Sequence, residues 1–117
     1  MTIKLTTMAL MIAAGSLLAN AAHAASFDCA KARAKDEKAI CANRALNDLD
    51  VKVTVLLDLD SRLVAMGQRG AIHDDQVVWL KARHLCGADT ACLRQSYDKR
   101  IAVLDDVFQG VASHGPF

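Results

Sequence analysis

Four cysteines constrain this chain more than any other feature. They fall as Cys29-x11-Cys41 and Cys86-x5-Cys92, the second pair enclosing Gly87-Ala88-Asp89-Thr90. A zinc site would place thiols two to four residues apart and match them with a second such pair, and a redox dithiol would read Cys-x-x-Cys. Neither spacing occurs. An even number of cysteines behind an export leader reads instead as a disulfide framework. Four cysteines allow three pairings, among which sequence alone does not choose. The local one, Cys29–Cys41 with Cys86–Cys92, is the expectation.

The leader is MTIKLTTMALMIAAGSLLANAAHA, with one positive charge at Lys4, an apolar run from Met8 to Leu18, and the small residues of Ala22-His23-Ala24 at its end. This is the layout of a secretory signal peptide, with cleavage expected after Ala24. The apolar run is short of the roughly 20 residues that a membrane span requires. No cysteine follows it closely enough for lipid attachment, because Ser26-Phe27-Asp28 precede Cys29. A periplasmic or secreted chain without stable membrane insertion is expected.

Of the 117 residues, 93 then remain, and losing Lys4 brings Lys+Arg from 14 to 13, equal to the 13 Asp+Glu. A net charge near zero argues against a nucleic-acid partner. One small domain of this size buries a modest core and benefits from covalent bracing.

The hydrophobic pattern predicts an all-α, disulfide-stapled bundle of three main helices and a short one around Asp36–Cys41. Leu46, Leu49, Val53, Leu56, Leu63 and Met66 suit a helical stripe, interrupted by Asp60, with Asn43 as its N-cap. Val51 to Leu59 also alternates like a strand, but no second run exists for it to pair with. A helix from Arg44 to Ala65 is therefore expected. Gly67-Gln68-Arg69-Gly70 reads as a break, and the next helix as starting at Asp74 or Asp75. Its face carries Ile72, Gln76, Trp79, Leu80 and Arg83, and it closes at Cys86 with Gly87 as a left-handed cap. Asp89 or Thr90 caps a third helix striped by Leu93, Tyr97, Ile101, Leu104, Val107 and Phe108. The helical domain spans 25–109, with a flexible tail over 110–117.

Five stretches carry a resemblance to a known family. They are Phe27-Asp28-Cys29-Ala30-Lys31-Ala32, Glu37-Lys38-x-Ile40-Cys41, Leu46-x-x-Leu49-Asp50, Gln76-x-x-Trp79-Leu80-x-x-Arg83-x-x-Cys86-Gly87, and Cys92-Leu93-x-x-x-Tyr97-x-x-Arg100-Ile101. Together they resemble the N-terminal domain of the LprI-type lysozyme inhibitors, in order and with the cysteines in register. The resemblance implies a protein that binds lysozyme and occludes its glycan cleft. Members of that family often carry Ser/Thr-Pro ahead of the short first helix, where this chain has Ala34-Lys35. The helix thus lacks a capping side chain, and the arm is expected to fray.

Candidate sites follow from residue chemistry and charge. His73, His84 and His114 are not spaced as metal ligands, and no nucleophile–base signature or phosphate-binding glycine loop is present. No catalytic residue, metal or cofactor is expected. Trp79 reads as a core anchor, and Gln76, Arg83, Tyr97 and Arg100 as a part-buried hydrogen-bond network between two helices. Residues 29–44 are rich in base (Lys31, Arg33, Lys35, Lys38, Arg44) and residues 46–60 in acid (Asp48, Asp50, Asp58, Asp60). Against lysozyme, a cationic enzyme with a carboxylate-lined cleft, Asp58 and Asp60 would steer the encounter. Lys31, Lys35 or Lys38 would then approach the carboxylates. The alternative is a cell-envelope structural or accessory protein with no lysozyme target.

Overall fold

The computed structural model describes residues 25–115. The expected signal peptide therefore lies outside the described residues. A 3-10 turn over Cys29–Lys31 leads into α1 (Lys35–Ala42), α2 (Arg44–Leu63), α3 (Met66–Leu85) and α4 (Thr90–Ala112). There is no strand among the described residues, so the fold is small and all-α as expected. Both disulfides take the local pairing, Cys29–Cys41 and Cys86–Cys92. They fit an oxidising, extracytoplasmic environment. No helix among the described residues is long and apolar enough to cross a membrane.

The strand-like alternation of residues 51–59 is overruled by context, and α2 runs straight through it. Asn43 caps that helix, its Oδ1 accepting from Leu46 N at 3.2 Å. The buried face differs from the expected stripe. Leu46, Asp50, Val53, Asp60 and, just past the helix, Val64 are buried, whereas Leu63 is 40% exposed and Met66 84% exposed. Asp60 does not interrupt the stripe; it belongs to it. Positions 46, 50, 53, 57, 60 and 64 form one helical face, and two of them are acids.

The expected break at Gly67–Gly70 is also corrected. α3 begins at Met66 and passes through both glycines. Arg69 N donates to Ala65 O at 3.0 Å, and Arg69 Nε donates to Ser61 O at 2.6 Å. Ser61 Oγ also meets His73 Nε2 at 3.2 Å. These contacts fasten the first turns of α3 to the last turn of α2, which outweighs the cost of about 1 kcal/mol for a glycine in a helix.

The α3–α4 corner forms as its sequence predicts. Cys86 is the C-cap of α3, and Gly87 is the one residue with positive φ, at +55°, among those described. Asp89 Oδ1 accepts from Ala91 N and Cys92 N at 3.0 Å, opening α4. That helix continues through Gly110 to Ala112, beyond the expected start of the tail. At α1, Ala34 offers no capping side chain, but Glu37 Oε2 accepts from Arg33 N at 2.9 Å and Ala34 N at 3.2 Å. The helix is thus capped from within.

The most extensive pairing is between α2 and α4, with α1 against α2 and α3 touching the other three helices. Ile40, Leu46, Val53, Val64, Ile72, Leu93, Tyr97 and Leu104 form the core, and Trp79, Ile101 and Val107 pack half-buried around it.

Gly70 and Gly87 should respond oppositely to alanine. A Cβ at either meets nothing within 4 Å, yet only Gly87 needs its left-handed backbone. Gly70→Ala is expected to raise stability by about 1 kcal/mol, and Gly87→Ala to lower it by about 1 kcal/mol. Urea unfolding midpoints measure both.

Candidate functional site

Arg83 is the hub of the molecule. It lies on α3 and is only 6% exposed, so every donor of its guanidinium needs a partner within the protein. Nε and Nη2 reach Asp36 Oδ2 of α1 at 3.1 and 3.0 Å. Nη1 reaches Asp50 Oδ1 of α2 at 3.4 Å and the Tyr97 hydroxyl of α4 at 3.3 Å. Tyr97 in turn donates to Asp50 Oδ1 at 2.8 Å. The N-terminal arm joins through Ser26 N, which donates to Asp50 Oδ2 at 2.6 Å.

Aromatic rings enclose the same cation. The guanidinium carbon lies 5.9 Å from the Phe27 ring centre and 5.6 Å from that of Trp79, both within cation–π range. Trp79 meets Tyr97 edge-on, with ring centres 5.3 Å apart, and donates from Nε1 to Ser96 O at 3.2 Å. The arm and all four helices therefore converge on one side chain. The expected network of Gln76, Arg83, Tyr97 and Arg100 is present, but it divides in two and recruits the acids Asp36 and Asp50.

Burial alone would push the Asp36 carboxyl up. The Arg83 charge, with hydrogen bonds from His84 and Arg83, outweighs that and holds it below the usual carboxylate range. Its contribution to stability is present above the unfolded pKa and is lost as pH falls through the lowered folded value. Burial, then the negative charge of Asp50, pushes the Tyr97 hydroxyl well above its usual range, so it remains a phenol and a donor.

A second buried pair sits farther along α2. Arg100 of α4 donates from Nε to Gln76 Oε1 at 2.8 Å and from Nη2 to Ile72 O at 3.3 Å. Asp60 is 0% exposed, and neither of its carboxylate oxygens has a hydrogen-bond partner. Burial raises its pKa, Arg100 opposes the rise and Asp105 adds to it, leaving the carboxyl above its usual range.

Outside the first network lies a groove of about 590 Å³ between α1 and α3. Val77, Leu80 and Leu85 supply apolar walls, Glu37, Lys81 and His84 a polar rim, and Asp36 and Arg83 close it from behind. Leu85 is 85% exposed and Val77 51% exposed, so the walls present apolar surface to solvent. Asp36 Oδ1 holds His84 Nδ1 at 3.1 Å and orients the ring.

The sites expected from sequence are distributed unevenly. Cys29, Cys41, Cys86 and Cys92 are all bridged. Lys31, Lys35 and Lys38 are exposed on the arm and α1, with Lys31 Nζ 3.8 Å from Asp28. Asp58 is exposed and paired with Arg62 at 3.0 Å. Asp60 is a correction: fully buried, it offers nothing to a partner's surface, and Asp50 is withdrawn from the acidic face in the same way. Sequence reading missed Asp36, Asp50 and Asp60 as buried groups, although the spacing of Asp50 and Asp60 from Val53 carried the signal.

Geometry and chemistry together define a small, all-α, disulfide-braced protein with a polar hub and an open groove. Compared with protein-family models, curated proteins and solved structures, the chain matches none.

Removing the hub leaves two buried carboxylates uncompensated. Arg83→Met is expected to cost about 3–5 kcal/mol, and Arg83→Lys less but still more than 1 kcal/mol because the planar fork is lost. Asp60 behaves in the opposite sense. Its raised pKa makes its contribution most favourable below the unfolded pKa and lost as pH rises through the folded value. Asp60→Asn should therefore gain about 1 kcal/mol at neutral pH, a gain that shrinks as pH falls into the carboxylate range. Urea titrations across pH measure both effects.

Proposed function

We propose that this chain is an exported, non-enzymatic binding protein that inhibits lysozyme by covering its glycan cleft. The reading starts from the family resemblance of residues 26–104 and from a leader of signal-peptide form. The disulfides agree with export to the periplasm or beyond. The observation that carries it is the order of the cationic arm. The Cys29–Cys41 bridge, the Ser26–Asp50 hydrogen bond and the Phe27–Arg83 contact hold residues 26–42 in place. Lys31, Lys35 and Lys38 project from that fixed segment into solvent.

A cation on a pre-ordered segment meets a carboxylate with little further loss of conformational freedom. The catalytic cleft of a lysozyme supplies such carboxylates. The apolar groove beside α1 would add non-polar contact once the arm has docked. With Asp50 and Asp60 buried, long-range attraction to a cationic enzyme falls to the exposed Asp48 and Asp58.

The test is turnover of a cell-wall substrate by several lysozyme types with the oxidised chain from Ala25 onward. Inhibition of at least one type at micromolar excess is expected. Lys31→Glu, Lys35→Glu and Lys38→Glu together should weaken it by about tenfold or more. The unfolding midpoint should move little, since all three side chains are exposed. Failure of the wild-type chain against every type returns the protein to a structural or accessory role in the envelope.

A further inference from the structure

The hub sets two buried carboxylates against one guanidinium, and its cations gather on one of the two. Arg83 reaches Asp36 at 3.0 and 3.1 Å, and His84 Nδ1 lies 3.1 Å from the same carboxylate. Asp50, only 2% exposed, meets Arg83 Nη1 at the longer distance of 3.4 Å. Its short bonds come from neutral donors, the Tyr97 hydroxyl on Oδ1 at 2.8 Å and Ser26 N on Oδ2 at 2.6 Å. A buried anion met mainly by neutral donors is under-compensated. Its Oδ2 side faces the arm, where the Lys31 side chain is 84% exposed and lies 3.8 Å from Asp28.

Ala25 immediately precedes Ser26 and is half-buried. The covalent path between their two nitrogens spans at most about 4.3 Å, so Ala25 N lies within about 7 Å of Asp50 Oδ2. In the precursor that nitrogen is a neutral amide; in a chain that starts at Ala25 it is an α-ammonium. We propose, on the leader reading above, that cleavage after Ala24 acts as a maturation switch. The new α-ammonium is the cation that the Asp50 side of the hub lacks, and it clamps the arm to α2. The other charged and titratable groups on that side are Asp28 and Lys31 of the arm and, beyond Asp50, Asp36 of α1, Arg83 and His84 of α3 and Tyr97 of α4. Arg83 offsets Asp36 and Lys31 offsets Asp28, so Asp50 sets the sign of the field at the amine. An opposite charge at this range favours the ammonium over the free amine. The lysine-bearing arm is therefore held more firmly in the processed chain than in the precursor.

The test compares urea unfolding of two oxidised chains that begin at Ala25, one with a free α-amine and one Nα-acetylated. At about pH 6.5 the free-amine chain is expected to have an unfolding constant about three- to tenfold smaller. That advantage is fully present below the unfolded amine's pKa, about 7.7–8.0, and is lost as pH rises through the higher folded value. It should therefore have faded by about pH 9.5. In Asp50→Asn, acetylation should change nothing, and the wild-type pH series decides the matter if that variant does not fold. Equal midpoints at the lower pH overturn the proposal, as does a difference that persists at the higher one. A difference undiminished in a folded Asp50→Asn chain overturns it as well. The intact mass of the exported protein checks the leader separately. A first residue other than Ala25 overturns the switch through the leader alone, whereas equal midpoints overturn it with the leader intact.

Discussion

One buried guanidinium facing two buried carboxylates is the constraint on which this structure depends. Arg83 binds Asp36 and Asp50 and is flanked by Phe27, Trp79 and Tyr97, so it touches the arm and every helix. The core is thin, with eight buried apolar residues among those described. A cluster that small specifies helix faces loosely, since apolar contacts are non-directional. The fork of Arg83 has fixed geometry, and its bonds tie α1, α2 and α4 to one position on α3. Such a pair adds little net stability over an apolar substitute, but leaving half of it unpaired is costly.

The second network shows the same residue types less completely joined. Arg100 is satisfied by Gln76 and a carbonyl, while Asp60 has a nearby opposite charge and no hydrogen bond. Completed bonding holds Asp36 below its usual range, and burial without bonding carries Asp60 above it. The pKa values of two aspartates in one small bundle are thus displaced in opposite directions. At Asp36 the adjoining Arg83 charge, joined by hydrogen bonds to the carboxylate, overcomes burial; at Asp60 the Arg100 charge acts without such bonds and burial prevails.

Much of the architecture was legible because local signals agreed with one another. Asn43, Gly87 and Asp89 each act as their residue types suggest, and the cysteine spacing brings the bridged pairs together. Two errors have a common cause. Gly67 and Gly70 read as a break, yet contacts of Arg69 and His73 with Ser61 of the preceding helix hold that stretch in α3. The acids of α2 read as solvated, yet Asp50 is received by Arg83 of α3, and Asp60 is buried under the charge of Arg100 of α4 without a hydrogen bond. In each case a long-range partner overrules a local preference, and such partners have no periodic signature. The groove shares this property. It arises where α1 and α3 meet, and no single segment announces it.

Each covalent bridge closes a short loop, with partners 12 and 6 residues apart in sequence. No bridge joins the first half of the chain to the second. The native partner of every thiol is therefore also its nearest neighbour along the chain, and random encounter favours the correct pairs over the crossed ones. Loop closure alone thus biases each end toward its native bridge. The order of the cysteines along the chain, apart from any packing of the bundle, is enough to favour the native covalent form over its two alternatives.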